Sequence, residues 1–175
     1  EPERDVVLDS SMQYSMMTAA FTGGTGDYVT AFEPTASMLQ QQGKAYIVAS
    51  VGEASGEIPY TAYFAKKSYL AKNADLVQRF TNALYRGQQW VAEHSAEEIA
   101  DAVAGQFPDT ERDLLVRAVE SYRAIGAWNT DPRMMRASFD RLQEVMTAAG
   151  ELTSPAPFDD VVNNSFAEAA LSTGK

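Results

Sequence analysis

The chain has 175 residues, of which 45% are hydrophobic, and it carries a formal net charge of -10 at pH 7. This length and this apolar content suffice for one domain or for parts of two. The acidic excess argues against general affinity for nucleic acid or for anionic membrane surfaces. The lack of cysteine excludes disulfides, thiolate metal sites and cysteine nucleophiles.

The beginning of the chain predicts an alternation of strands and a helix. Residues 5–9 (DVVLD) form a short β-rich run, residues 12–21 have the pattern of a helix, and glycines then end that helix. Residues 28–32 (YVTAF) predict a short strand that is buried on both faces, and Glu33 and Pro34 close it. Glu33 is therefore expected at the carboxyl end of a strand, which is where ligands bind in open α/β sheets.

Two further strands are predicted downstream. A helix over residues 34–42 leads to residues 45–51 (AYIVASV), an apolar run that indicates another buried strand. Residues 52–59 contain glycines and a proline, which indicate a loop. Residues 60–65 (YTAYFA) contain the threonine and aromatic residues that favour a strand. This part of the chain therefore predicts an α/β fold.

Beyond residue 66 the apolar residues recur at helical spacing, so a different architecture is predicted there. Asn73 is a candidate N-cap for the first of these helices, and Ser95 with Glu98 fits a capping box for the second. Thr110 and Asp131 are candidate N-caps for two later helices. The predicted helices span residues 74–91, 96–104, 111–125, 132–149 and 159–171.

Four segments resemble the C-terminal half of a binding protein of ABC importers, of the family that binds nitrate, sulfonates and the pyrimidine precursor of thiamine. They are GTGDYVTAFEP at 24–34, EIPYTAYFAKKSYL at 57–70, NADLVQRFTNALYRGQQWV at 73–91 and PFDDVVNNSF at 157–166. In the first segment Asp27, Glu33 and Pro34 match the family's G-x-x-D-A-hydrophobic-x-x-[WF]-E-P element, whereas Tyr28 stands where a small residue is common. The resemblance covers essentially the whole chain.

This resemblance implies a two-lobed α/β fold of the periplasmic-binding-protein type II kind, with the ligand in the cleft between the lobes. In this chain the fold is expected to be incomplete, because members of the family run to roughly twice its length. Residues 1–58 are then the end of the second lobe, residues 59–66 are a strand that crosses the hinge, and residues 67–175 are the helical return to the first lobe.

The resemblance also implies a function without chemistry of its own. The chain is expected to be the solute-binding component of an ABC importer, which captures a small molecule and delivers it to a permease and its ATPase. The implied location is periplasmic or extracellular, with a lipid anchor if the full-length chain carries a lipobox. Two alternatives with the same fold are an enzyme that makes the thiamine pyrimidine and an effector-binding domain of a transcription regulator.

Four residues are candidates for contact with the ligand. Glu33 is placed to accept hydrogen bonds from an amino group of a pyrimidine or another cationic ligand, although an acid at a helix start also complements the helix dipole. Phe32 and Tyr60 are candidates for stacking on a flat ring, with core packing as the other explanation for Phe32. Thr61 is a candidate hydroxyl donor, and its β preference explains it equally well.

No catalytic, metal or cofactor site is expected. His94 is the single histidine in the chain, so we expect a solvated surface residue rather than a metal ligand. The acidic pairs at 97–98 and 159–160 are adjacent rather than facing, and paired-carboxylate catalysis therefore has no support. The glycines of GGTG precede a predicted strand rather than a helix, which argues against a phosphate-binding loop.

The apolar faces of the predicted helices are expected to need a partner. If the sheet is incomplete, the helices beyond residue 73 lack the surface that they cover in the family fold. We therefore predict self-association, for example as a swapped dimer, or an exposed apolar patch. The inward positions of these faces include Leu76 and Phe80 in the first helix, and Met135 and Met146 in the fourth.

Overall fold

The computed structural model describes residues 4–173, and the chain divides into two compact units, one that ends at Val48 and one that begins at Ala49. The first unit contains helices α1 (Tyr14–Thr22) and α2 (Thr35–Gln41). The second unit contains α3 (Val51–Ser55), α4 (Lys67–Lys72), α5 (Ala74–Glu93), α6 (Ala96–Val103), a 3-10 turn (Ala104–Gln106), α7 (Arg112–Ala124), α8 (Arg136–Ala148), α9 (Phe158–Val161) and α10 (Ser165–Thr173). Within residues 4–173, no helix combines the length and the hydropathy that crossing a bilayer requires.

The two helices of the first unit lie where their sequence patterns predict them. Helix α1 ends at Gly23, whose N–H donates to the carbonyl oxygen of Ala19 at 3.0 Å. Gly24 follows with a φ of 94°, a left-handed value that glycine adopts without steric strain. In α2 the side chains of Ser37 and Leu39 are buried, so this helix provides the packed face of the unit.

The core of the second unit includes the contact between α6 and α7. Ala96 and Ile99 of α6 pack with Val119 of α7, and the partly buried Val91 and Val116 lie against them. The spacing of three residues places Ala96 and Ile99 on the same face of α6. Burying one isoleucine side chain stabilises a fold by about 1.5–3 kcal/mol, so this contact makes a large contribution to the stability of the unit.

Helix α10 packs on α5 through small side chains. Ala167 and Ala170 are both buried, and their spacing places them on one face of α10. The Nε2 of Gln78 in α5 donates to the carbonyl oxygen of Phe166 at 2.9 Å. This hydrogen bond joins the long helix α5 to the first turn of α10.

Two side-chain amides hold the irregular segments of the second unit. The Oδ1 of Asn164 accepts from the N–H of Met134 at 2.9 Å, and its Nδ2 donates to the carbonyl of Met134 at 2.9 Å. Gln143 makes the same pair of bonds to Ala156, at 2.6 and 3.2 Å. Each amide therefore satisfies both backbone groups of a residue that lies outside any helix or sheet.

The four predicted strands are absent from the described part of the chain. Residues 28–32 and 60–65 belong to no ladder, residues 5–9 contain only an isolated bridge at Val6, and the run 45–51 ends in the first residue of α3. Apolar, β-branched and aromatic residues give a segment the side chains of a strand, but a strand also needs a neighbouring backbone to pair with. The structure is therefore rich in helix, and the predicted α/β class is not confirmed.

The capping box predicted at the start of α6 is confirmed. The Oγ of Ser95 accepts from the N–H of Glu98 at 3.2 Å, and the N–H of Ser95 donates to the Glu98 carboxylate at 2.9 Å. The existence of α1, α2, α5, α6, α7 and α8 also agrees with the sequence patterns, within a few residues at each end. The division into residues 1–58, 59–66 and 67–175 stays a prediction.

Three of the predicted N-caps are wrong in detail. Asn73 occupies the N-cap position of α5 as predicted, but its side chain makes no capping hydrogen bond, and its Nδ2 donates to the carbonyl of Tyr69 in α4. Thr110 lies one residue too early, since the N-cap position of α7 is Glu111. The Asp131 carboxylate accepts from the backbone and the guanidinium of Arg133 instead of capping a helix.

The pairing of Asp131 with Arg133 also explains why α8 begins later than predicted. The side-chain hydrogen bonds from Arg133 lower the pKa of the Asp131 carboxyl. Because these bonds form a local turn, the helix begins only at Arg136 rather than at residue 132. The helix predicted over residues 159–171 is likewise two helices, α9 and α10, and the segment between them contains Asn164.

Parts of the predicted inward faces are exposed. Leu76 and Phe80 of α5 have 48% and 47% of their surface exposed, and Met135 and Met146 are also exposed. The helical period predicts which residues share a face, but whether that face is covered depends on what packs against it. An exposed apolar surface was one of the two outcomes predicted from the sequence.

Gly56 provides a test of backbone strain in the segment that follows α3, close to Arg141 of α8. Its φ of 70° and ψ of -170° fall in a region that only glycine populates readily, and the Nη1 of Arg141 donates to the carbonyl of Ser55 at 3.1 Å. We expect Gly56→Ala to lower the free energy of unfolding by about 1–3 kcal/mol because of backbone strain, as measured by urea denaturation.

The matched control is Gly87→Ala, in the middle of α5. A Cβ at Gly87 meets no atom within 4 Å. Alanine there should stabilise the chain by about 0.5–1 kcal/mol, since glycine loses more backbone entropy than alanine in a helix. Equal effects of the two substitutions would contradict the assignment of strain to Gly56.

The amide of Asn164 gives a second prediction. Asn164→Ala removes both bonds to Met134 and leaves its backbone groups unsatisfied, so we expect a loss of about 1–3 kcal/mol in urea denaturation. Asn163→Ala is the control, because the Asn163 side chain accepts only an exposed bond from the N–H of Ser165 and should cost less. A larger loss in the control would show that the bonds to Met134 do not hold this segment.

Candidate functional site

Glu33 is held at the start of α2 by two hydrogen bonds from Ser37. Its Oε1 accepts from the Oγ of Ser37 at 3.0 Å, and its Oε2 accepts from the N–H of Ser37 at 3.1 Å. Ser37 is only 6% exposed, so the group that holds the carboxylate is itself fixed by packing. Glu33 is half-buried, and its carboxylate can accept hydrogen bonds at both of its oxygens.

The two hydrogen bonds from Ser37 are consistent with both roles predicted for Glu33, namely an acid that complements the helix dipole and an acceptor for a ligand. The bond from the Ser37 N–H satisfies one of the donors that the first turn of a helix leaves without a partner, as expected for an acid that complements the helix start. The same bonds also fix the position of the carboxylate, and a fixed, partly accessible carboxylate is a good acceptor for a cationic or amino-bearing ligand. The two roles are therefore compatible.

Phe32 lies beside Glu33 and contacts helix α1. Its ring centroid is 5.3 Å from that of Tyr14, with an angle of 48° between the ring planes. The N–H of Phe32 donates to the Tyr14 hydroxyl at 3.2 Å. Phe32 is 44% exposed, so part of its ring is accessible while the rest is covered, in part by Tyr14.

Ser37 and Tyr14 are the two residues at this site that the sequence did not reveal. Tyr14 lies 18 positions from Phe32, and no periodicity connects a residue in one helix with a residue after a glycine turn. Ser37 was detectable in part, since it follows Glu33 by four residues, and a serine in the first turn of a helix readily bonds a nearby side chain or backbone group. We refer below to Tyr14, Phe32, Glu33 and Ser37 as the Glu33 cluster.

Tyr60 and Thr61, the other two predicted ligand residues, lie in the second unit. Tyr60 is 78% exposed and Thr61 is also exposed. They belong to an irregular segment that contacts α5, because the ring of Tyr63 packs edge-on against Phe80 with centroids 4.9 Å apart. The structure thus brings Phe32 and Glu33 together in one unit and Tyr60 and Thr61 together in the other, and all four stay predicted ligand residues.

The surroundings of His94 differ from the prediction of a solvated surface residue. Its ring stacks on Trp90 with centroids 4.0 Å apart, and its Nδ1 lies 2.7 Å from the Trp90 carbonyl oxygen. Its own carbonyl accepts from Arg123 at 2.7 Å. His94 therefore ends α5 and connects it to α7. Across residues 4–173, no group of three histidine or acidic side chains is arranged to hold a metal ion.

A shallow, open depression lies beside the start of α6. It is lined by Ser95, Ala96, Glu97, Glu120, Arg123 and Ala124. None of the predicted ligand residues contributes to it.

A family model and a curated protein match this chain. The model of a family described as "NMT1/THI5 like" matches residues 6–98, which is just over half of the chain. A curated protein of Bacillus subtilis (strain 168), named "Putative binding protein YtlA", is 41% identical over 172 residues, which cover 98% of this chain and 52% of the relative. No solved structure gives a significant match to the chain.

The chain therefore belongs to the NMT1/THI5-like family, and the family resemblance seen in the sequence is confirmed. The chain spans about half the length of the curated relative that it matches. The matched region contains all four predicted ligand residues, since these lie between residues 32 and 61.

A double-mutant cycle tests whether Glu33 and Ser37 interact as described. We expect Glu33→Ala and Ser37→Ala to be coupled by about 1 kcal/mol in the free energy of unfolding, the usual magnitude for a hydrogen bond to a carboxylate that is only partly buried. The measurement is urea denaturation of the wild type, the two single variants and the double variant. Additive effects would mean that the side chains of Glu33 and Ser37 do not hold each other.

Proposed function

We propose that this chain forms part of a solute-binding protein and that the Glu33 cluster contacts the solute. The observation that carries the proposal is the Glu33 carboxylate, fixed through both oxygens by Ser37 and flanked by the exposed ring of Phe32. A fixed anionic acceptor beside an aromatic face suits a small, flat solute that carries an amino group.

The chemistry of the cluster favours an aminopyrimidine over an anion such as nitrate. A pyrimidine offers a π face to Phe32 and an N–H donor to Glu33, so a single ligand satisfies both groups. An anionic solute would instead meet the negative charge of Glu33, which is repulsive. Sulfonates and nitrate are therefore weaker candidates at this cluster.

The proposed role in transport is supported by membership of the NMT1/THI5-like family. The Bacillus relative is named as a binding protein, which supports solute binding over catalysis for this chain. We propose that the protein delivers its solute to an ABC permease and its ATPase, and that it works in the periplasm or outside the cell. We also propose that Tyr60 and Thr61 contact solute and that the complete protein has the family's two-lobed α/β fold.

The test of this proposal is a thermal-shift panel with 4-amino-2-methylpyrimidine, its 4-hydroxy counterpart, methanesulfonate and sodium nitrate. We expect the aminopyrimidine to stabilise the chain by about 2.7 kcal/mol at a hundredfold excess over its Kd, as mass action requires. Glu33→Gln should weaken its binding by roughly tenfold, because a charge-assisted hydrogen bond becomes a neutral one.

The control variant is Glu53→Gln, which removes the same charge from an exposed acid in the first turn of α3. It should leave the affinity for the aminopyrimidine unchanged. If nitrate or methanesulfonate binds and the aminopyrimidine does not, the assignment of the solute class is wrong. If the aminopyrimidine binds equally well to both variants, Glu33 only complements the start of α2.

A further inference from the structure

The Tyr14 side chain is held by two separate contacts with Phe32. Its hydroxyl oxygen accepts from the N–H of Phe32 at 3.2 Å, and its ring centroid lies 5.3 Å from that of Phe32. Tyr14 is also the first residue of α1, so its backbone belongs to a regular element. Because a tyrosine side chain has only two main torsions, the contacts at its ring and its hydroxyl leave the phenol little freedom.

The Tyr14 hydroxyl retains a hydrogen-bond donor. A phenol has one O–H donor in addition to the lone pairs with which it accepts. The bond from the Phe32 N–H is made to the oxygen and therefore leaves the O–H proton available to donate. Tyr14 is 52% exposed, so part of the phenol is accessible from solvent.

This donor lies near the anionic acceptor of the Glu33 cluster. Phe32 connects the two groups, because its N–H binds the Tyr14 hydroxyl and the next residue in the chain is Glu33, whose carboxylate is fixed by Ser37. The Phe32 ring between them is 44% exposed. A flat ring that stacks on Phe32 is thus close to one group that donates and one group that accepts.

A donor beside an acceptor matches one particular edge of an aminopyrimidine. In a 4-aminopyrimidine the amino group donates, and the ring nitrogen on the adjacent position accepts. In the 5-amino isomer both neighbours of the amino-bearing carbon are C–H groups, so no acceptor adjoins the amino group. The two isomers offer Phe32 and Glu33 the same aromatic face and the same amino group, and they differ in what they offer to a second, donating residue.

We propose that Tyr14 is a specificity-determining residue of the solute site. Its hydroxyl donates to the ring nitrogen that adjoins the amino group, while the Glu33 carboxylate accepts from that amino group. The inference rests on the proposed function, since it requires that the Glu33 cluster binds an aminopyrimidine. It narrows the solute class to rings in which the amino group and a ring nitrogen occupy adjacent positions.

A rival explanation of such a preference does not involve Tyr14. A ring nitrogen that takes up a proton becomes a donor, so the amino group and the ring nitrogen can then both donate to the two oxygens of Glu33. This rival requires a protonated solute. Binding is therefore measured in mildly alkaline buffer, where both pyrimidines are uncharged.

The experiment is isothermal titration calorimetry with 4-amino-2-methylpyrimidine and 5-amino-2-methylpyrimidine. We expect the wild type to prefer the 4-amino isomer by about fivefold, the usual effect of one neutral hydrogen bond. Tyr14→Phe keeps the ring and removes the hydroxyl, so it should abolish this preference by weakening the binding of the 4-amino isomer alone. The matched control is Tyr46→Phe, which removes a hydroxyl from an 85% exposed tyrosine of the same unit and should keep the fivefold preference.

The outcomes separate this inference from the proposed function. If Tyr14→Phe retains the preference, Glu33 recognises the ring nitrogen by itself and the inference is wrong. If Tyr14→Phe weakens the binding of both isomers equally, the phenol only supports Phe32, and the inference is again wrong although the proposed function stands. If neither isomer binds the wild type, the inference and the proposed function both fail.

The wild type alone keeps the proposal falsifiable. Far-UV circular dichroism shows whether Tyr14→Phe folds. Should it not fold, the two isomers are still compared on the wild type, and equal affinities there overturn the inference.

Discussion

The constraint on which this structure depends is that a β-strand is stable only beside another strand. The helices of the chain close their hydrogen bonds within their own segments, so they form wherever the local sequence supports them. The extended apolar runs cannot do this, and none of them forms a ladder among the residues that the structure describes. The difference explains why helices are the regular elements that form between residues 4 and 173, although the sequence contains several strand-like segments.

The same constraint determines how much of the fold was predictable. The capping box at Ser95 was correctly predicted because both of its hydrogen bonds join residues three apart. The start of α8 was not correctly predicted, because the Asp131 carboxylate accepts a hydrogen bond from the N–H of Arg133 instead of capping the helix. Strand formation at residues 60–65 was not correctly predicted either, since a pairing partner cannot be identified from the segment itself.

The Glu33 cluster shows a similar division between local and distant information. Phe32 and Glu33 were predicted as site residues because a strand-like run is followed by an acid and a proline. The structure places these two residues side by side at the start of α2. The contact of Phe32 with Tyr14 could not be predicted from the sequence, because it joins residues that are separated by a helix and a glycine turn. The bond from buried Ser37 converts an acid at a helix start into a fixed acceptor, and the proposed function depends on that conversion.

The most direct test of the account is an NMR titration of the chain with 4-amino-2-methylpyrimidine. If the Glu33 cluster binds this solute, we expect nuclear Overhauser contacts from the ligand protons to the ring protons of Phe32 and Tyr14, together with a shift of the Glu33 side-chain carboxyl carbon on binding. A bound ligand whose contacts all lie elsewhere, or a Glu33 carboxyl that does not respond at saturation, would contradict it.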